Sequence, residues 1–149
     1  MADFDMIREL RARCGASISH CKKALEETGG DREKALEVLR KEGADIAAKK
    51  ASRATHAGVV DAYVHADRRL AALVKVKCET DFVARNDEFR AFAHDLAMQA
   101  AAMGARTSEE LLEQPFIKDP KKTVRDLVKE IIAKFGENVE VISVSRLEI

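Results

Sequence analysis

The sequence predicts an α+β protein, an N-terminal three-helix bundle followed by a small antiparallel sheet of about three strands packed with helices. Three observations carry this. Apolar residues recur at helical spacing through the opening segment, interrupted by "CGAS" and by "TGGD". The period then shortens to two in "GVVDAYVH" and "LAALVKVKCE". Near the end the helical stripe of "TVRDLVKEIIAKFG" gives way to a β-rich run, "VEVISVSRLEI".

Met6, Ile7 and Leu10 make the first stripe, which ends at "CGAS". Cys21, Ala24, Leu25 and Thr28 continue as a second helix, stopped by Gly29 and Gly30. Asp31 is a good N-cap for a third, in which Ala35, Val38 and Leu39 face inward and Gly43 closes the end. Residues 1–44 therefore read as one helical module. Residues 45–57, alanine-rich, polar and locally basic, fit a helical extension or a tether and are read as a linker, and residues 58–149 as the α+β domain.

In that domain Val60, Ala62 and Val64 share one strand face. Val74, Val76 and Cys78 alternate with Lys75, Lys77 and Glu79, so the two runs form an antiparallel hairpin through "ADRR". A helix follows with Phe89, Phe92, Ala93, Leu96, Ala100 and Met103 on one face, and "TSEELLE" adds a short one. Pro115 and Pro120 bracket a connector, "PFIKD". Thr123 and Asp126 fit a capping box for the helix that carries Val124, Leu127, Val128, Ile131, Ile132 and Phe135, and Gly136 ends it. The last strand is apolar on both faces in its middle, the pattern of a strand that is central or covered on both sides.

Composition excludes several classes. With 149 residues, 46% hydrophobic and 35% charged, the chain suits one ordinary domain or two small ones rather than a disordered protein. Its 26 basic and 26 acidic residues cancel, which argues against direct binding to a nucleic-acid backbone. The absence of Trp and the single Tyr leave few platforms for base stacking. The opening "MADFDMIREL" has no continuous apolar core, and no later run reaches the length of a membrane span. A cytoplasmic setting without membrane attachment is expected, with Cys14, Cys21 and Cys78 as reduced thiols.

No Gly-rich phosphate loop is present, and His20, His56, His65 and His94 are scattered. Cys14 with His20 and Cys21 lacks the paired spacing of a zinc site. Cys78 and His94 could be imagined as nucleophile and base, but a buried strand thiol and a solvent-facing histidine explain them more simply. No metal, cofactor or catalytic site is expected, and the chain is not read as an enzyme.

One stretch, "KCETDFVARNDEF", supports two readings. Phe82 stands seven residues before Phe89, so a continuous helix would place both rings on one core face. Asp81 would then favour the helix start, with Arg85 one turn along as its pair. Otherwise Asp81 and Phe82 are aimed at another molecule.

"RELRARCGASISHCKKALEETGGDREKALEVLRKEG" closely resembles the N-terminal module of the elongation factor Ts family, a UBA-like three-helix fold similar to the ubiquitin-associated domain. "VKCETDFVARNDEF" carries the family's T-D-F-V-A signature, and "QPFIKDPKKTV" and "GENVEVISVSRLEI" resemble its C-terminal part. The pieces follow the family's order over nearly the whole chain.

The resemblance implies guanine-nucleotide exchange on elongation factor Tu, the GTPase that carries aminoacyl-tRNA to the ribosome. It places Thr80, Asp81, Phe82 and Val83 at the contact that disrupts the partner's Mg²⁺ site, with Phe82 as a wedge between helices. Arg8, Ile18, Ser19 and Lys22 match the positions by which the N-terminal module grips the GTPase. Arg8 keeps a charge where the family has Lys. Ile18 and Ser19 replace two methionines, and His20 replaces the acid before "CKKAL". Family members also carry a helical insertion where only "GARTSEELLE" stands here. Long members hold two α+β subdomains and this chain has sequence for one, so the resemblance implies a homodimer through residues 58–149. An alternative of another class is a UBA-like protein-binding adaptor with an α+β dimerisation domain.

Overall fold

A computed structural model describes residues 3–149, which fall into two units. One comprises the chain up to Ala51 together with Lys129–Gly136; the other comprises Ser52–Val128 and Glu137–Ile149.

The first unit contains α1 (Phe4–Cys14), α2 (Ile18–Glu27) and α3 (Arg32–Lys50). Each start is capped by a short polar side chain. Asp3 accepts from the Asp5 N–H, Ser17 from His20 and Asp31 from Lys34 at 3.1 Å. Gly15, at φ 70°, lets α1 turn off in the left-handed conformation and return its N–H to Arg11 O. Ile7, Leu10, Cys21, Ala24, Leu25, Ala35, Leu36 and Leu39 form the core. Burying each leucine contributes about 1.5–3 kcal/mol, so a bundle this small depends on nearly every one.

Gly43 does not end α3. The helix runs on to Lys50, taking in the first part of the expected 45–57 linker. "ADIAAKK" is made of good helix formers, and Gly43 is buried where an added Cβ would lie 3.6 Å from Ala133 Cβ. Its smallness serves packing rather than termination.

The second unit is built on β1 (Ala57–Val64), β2 (Leu70–Cys78) and β5 (Val139–Glu148), antiparallel throughout in the order β1-β2-β5. Between β2 and β5 the chain passes through α4 (Asp81–Ala84), α5 (Asp87–Met103), α6 (Ser108–Glu113), β3 (Pro115–Phe116), β4 (Asp119–Thr123) and α7 (Val124–Phe135), whose residues from Lys129 onward belong to the first unit. The capping box that opens α7 is present, since Thr123 N–H donates to Asp126 Oδ2 at 3.0 Å and Asp126 N–H to Thr123 Oγ1 at 3.2 Å. Gly136, at φ 70°, follows the helix and donates to Ile132 O.

Four expectations for this unit need correction. β5 is an edge strand, not a central one. Its apolar middle arises from a bulge: Val76 pairs with Val141 and Lys75 with Ser143, which leaves Ile142 as an extra, exposed residue. On β1 the face carrying Val60, Ala62 and Val64 is the solvent side. Register decides this, because Val60 pairs with Lys75 and Ala62 with Leu73, on the lysine side of β2. Val59, Asp61 and Tyr63 take the other face, where α5 brings His94 Nδ1 to 3.5 Å from Asp61 Oδ1.

Met103 ends α5 half exposed, while Phe89, Phe92, Ala93, Leu96 and Ala100 are buried as expected. "PFIKD" is not a plain connector but a small hairpin of β3 and β4. The buried Gln99 side chain from α5 organises it, donating from Nε2 to Pro115 O and accepting the Ile117 N–H at Oε1, both at 2.9 Å.

Gly58 sits where β1 presses on β2, and an added Cβ would lie 2.3 Å from Val76 O. Gly58→Ala is expected to destabilise the protein by about 1–3 kcal/mol, the usual scale of overpacking, read as a lower urea midpoint at unchanged slope.

Candidate partner-binding site

The site forms where β2 ends. The ladder between β2 and β5 closes with the pair Cys78–Val139, and the chain leaves it through Glu79 and Thr80 into α4. Thr80, extended at φ −125° and ψ 154°, is the N-cap, its hydroxyl accepting the Val83 N–H at 3.4 Å. α4 is a single four-residue turn. Arg85 and Asn86 then break the path, and the Asn86 side chain caps α5 by accepting from Glu88 and Phe89.

That break rules out a core face shared by Phe82 and Phe89. The helix is not continuous, so Phe82 and Phe89 do not share a face. Phe89 is fully buried, whereas Phe82 is 84% exposed. Asp81 is exposed beside it. The single turn is held down from the opposite side by Val83 and Ala84, both buried. Val83, read from the sequence as part of the contact, is thus a core residue supporting Phe82 and has no outward surface to offer.

Carboxylates bind the turn at its base. Glu137, just before β5, accepts the Glu79 N–H at 3.1 Å and the Thr80 N–H at 2.9 Å through Oε1, and the Thr80 hydroxyl at 2.7 Å through Oε2. Glu79 reciprocates, its Oε1 accepting the Asn138 N–H at 2.7 Å and lying 3.7 Å from Arg53 Nη1. Cys78 lies beneath, its thiol donating to Thr80 O at 3.3 Å. Burial, reinforced by the Glu137 and Asp81 carboxylates, pushes that thiol up to about 11 from 9.0, so it is a neutral donor and not a nucleophile. His94, the base once imagined for it, is exposed and paired with Asp61. Among the described residues no cluster of three or more His, Cys, Asp and Glu could hold a metal ion.

The first unit carries the other residues singled out from the sequence. Arg8 is exposed, its guanidinium 5.3 Å from the Phe4 ring centre. Ile18 is half exposed at the start of α2. Ser19 shares a 2.9 Å hydrogen bond with Ser17, and Lys22 reaches Glu26 at 3.9 Å along the helix. Ile18, Ser19 and Lys22 thus lie together on the first turn and a half of α2. Phe4, exposed beside Arg8, was not singled out; its amphipathic helix gave no sign that it would point outward. Glu137 was also missed, because nothing local marks a residue whose partners lie nearly sixty positions away.

Comparison with known proteins shows the family of the chain. A family profile described as Elongation factor TS matches residues 79–149, which includes the whole β2–α4 turn. Elongation factor Ts of Carboxydothermus hydrogenoformans is 41% identical over all of this chain and 89% of its own length. That of Thermotoga petrophila is 42% identical over 98% of this chain and 95% of its own. That of Clostridium botulinum type A is 43% identical over the whole of this chain but only 48% of its own. The Carboxydothermus alignment runs over 194 positions, so that relative has residues with no counterpart among these 149. Fold and sequence together define a translation elongation factor. The chain belongs to the elongation factor Ts family. Among the described residues no helix is long and apolar enough to cross a membrane.

The thiols have a measurable consequence. Cys21, like Cys78, is pushed up to about 11, chiefly by burial. Each thiol stays neutral in the folded chain and ionises more readily when unfolded. Their contribution to stability is therefore complete below about pH 9 and is lost as pH rises through about 11. The thermal midpoint is expected to fall across that window, and less steeply in Cys78→Ser, which scanning calorimetry at stepped pH would read.

Proposed function

We propose that this protein is a guanine-nucleotide exchange factor for elongation factor Tu, releasing GDP by intrusion of Asp81 and Phe82 near the GTPase Mg²⁺ site. The observation that carries the reading is the Phe82 ring, 84% exposed beside the exposed Asp81 on a turn that the buried Val83 and Ala84 hold down. An aromatic left in water on a well-fixed turn gains about 1.5–3 kcal/mol when a partner covers it. With only two side-chain torsions to order, it is also an inexpensive wedge.

The mechanism is one of linkage. A factor that binds the nucleotide-free GTPase more tightly than the GDP form must weaken GDP by the same factor. Mg²⁺ bridges phosphate oxygens and protein ligands, so disturbing it removes much of the hold on the nucleotide. The exchange factor needs no covalent chemistry and no cofactor of its own, and incoming GTP relieves the strained intermediate. Arg8, Ile18, Ser19 and Lys22 supply a second contact on the G domain, which holds the wedge in place.

The chain works as a homodimer through its α+β unit. Val64, Leu73 and Leu147, joined through Ala71 and Ala62, make an exposed apolar patch at one end of the outer face of the sheet, bordered by Val60 and Lys75. A second copy is the occupant that supplies the second α+β subdomain found within longer members of the family.

Release of fluorescent GDP from elongation factor Tu tests the reading. Phe82→Ala is expected to slow stimulated release about 30-fold or more, the scale of a lost hot-spot ring, with the thermal midpoint moved by less than about 2 °C. Asp81→Ala should do less damage and Cys78→Ser almost none. Unstimulated release in the presence of the unmodified protein would favour an adaptor instead. For the dimer, light scattering at micromolar concentration should give twice the chain mass, and Leu73→Asp should halve it; a monomeric unmodified chain would refute the assembly.

A further inference from the structure

We propose that Glu137 is the positioning residue of this site, its carboxylate setting the direction in which Asp81 and Phe82 leave the sheet. The inference deepens the exchange reading and rests on it.

A helix of four residues makes too few internal hydrogen bonds to be stable alone. The exposed ring contributes no packing, so its aim is inherited from the backbone. Val83 and Ala84 fix the far side of the turn by burial. The near side has left the β-ladder, whose last pair is Cys78–Val139, so Glu79 and Thr80 lack strand partners there. Glu137 takes over that role. Its Oε1 receives both backbone N–H groups, as a neighbouring strand's carbonyl would, and its Oε2 receives the Thr80 hydroxyl proton.

The last contact determines what the hydroxyl can do. With its proton committed to Glu137, Thr80 Oγ1 presents lone pairs to the Val83 N–H and caps α4. Thr80 O is occupied as well, accepting the Ala84 N–H at 3.2 Å and the Cys78 thiol at 3.3 Å. Every polar group of Thr80 is thereby assigned. Hydrogen bonds to a charged acceptor are about twice as strong as neutral ones, so Glu137 is the strongest tie on the turn. The Glu79 carboxylate, held by Asn138 N–H, closes the arrangement in the opposite sense.

Glu137→Ala and Glu137→Gln separate positioning from bracing, using amide hydrogen exchange of the free protein and saturation curves of stimulated GDP release. In Glu137→Ala the amides of Thr80, Val83, Ala84 and Arg85 should exchange about tenfold faster or more, while those of Val74, Val76 and Val144 are unchanged. The plateau rate of GDP release should fall about tenfold with the half-saturating concentration within about twofold, a loss confined to the transition state. Glu137→Gln retains one carbonyl acceptor for the two backbone N–H groups and should restore most of both properties. Loss of protection throughout the sheet in Glu137→Ala would overturn the proposal, since Glu137 would then be a structural brace. An unchanged plateau beside a loosened turn would overturn it too, as would an unloosened turn. Failure of the unmodified protein to stimulate release, with the turn still loosened by Glu137→Ala, would instead refute the exchange reading and leave the clamp as a local feature.

Discussion

A ring that stands in water cannot be oriented by its own packing, so whatever aims Phe82 must act through the backbone beneath it. Much of the second unit follows from that constraint. β2 supplies a rigid, central strand as a base. Asn86 forces a break between α4 and α5, so that the same stretch of chain buries Phe89 and exposes Phe82. Val83 and Ala84 weigh the turn down, and the carboxylate ties at Glu79 and Glu137 extend the sheet's order past its last backbone pair. Each device is ordinary on its own. Their convergence on four residues makes an exposed aromatic a fixed feature rather than a loose one.

The helical part of this architecture was largely legible in the sequence, because caps and periodicity are local. Asp31 as a cap, the Thr123–Asp126 box and the stop at Gly136 all appear where spacing placed them. The misreadings concern longer range. Gly43 resembles a helix terminator until one sees that it is buried against Ala133. The face on which Val60 and Val64 lie depends on the register with Lys75, which no single strand reveals. The apolar middle of β5 imitates a central strand because the bulge inserts Ile142 into an otherwise alternating run.

The candidate site divides in the same way. Asp81 and Phe82 could be picked out by motif, but periodicity alone would have placed the ring in the core. What overrides periodicity is the polar side chain of Asn86, whose capping bonds start a new helix a few residues before the apolar face begins. Glu137 and Gln99 were invisible for a common reason. Each is a polar side chain substituting for a strand, and neither its partners nor its burial leaves a mark in adjacent residues.

The bulge at Ile142 also bears on how this molecule can meet itself. β1 and β5 both present open edges, and a flat open edge is a template for endless strand addition. Here one rim is bent by the inserted residue and carries the exposed acids Glu140 and Glu148, which disfavours a neighbour continuing the ladder along it. The greasy surface points perpendicular to that rim. An incoming strand meets a kinked margin there instead of a straight template, which guards against the sideways growth that ends in fibres.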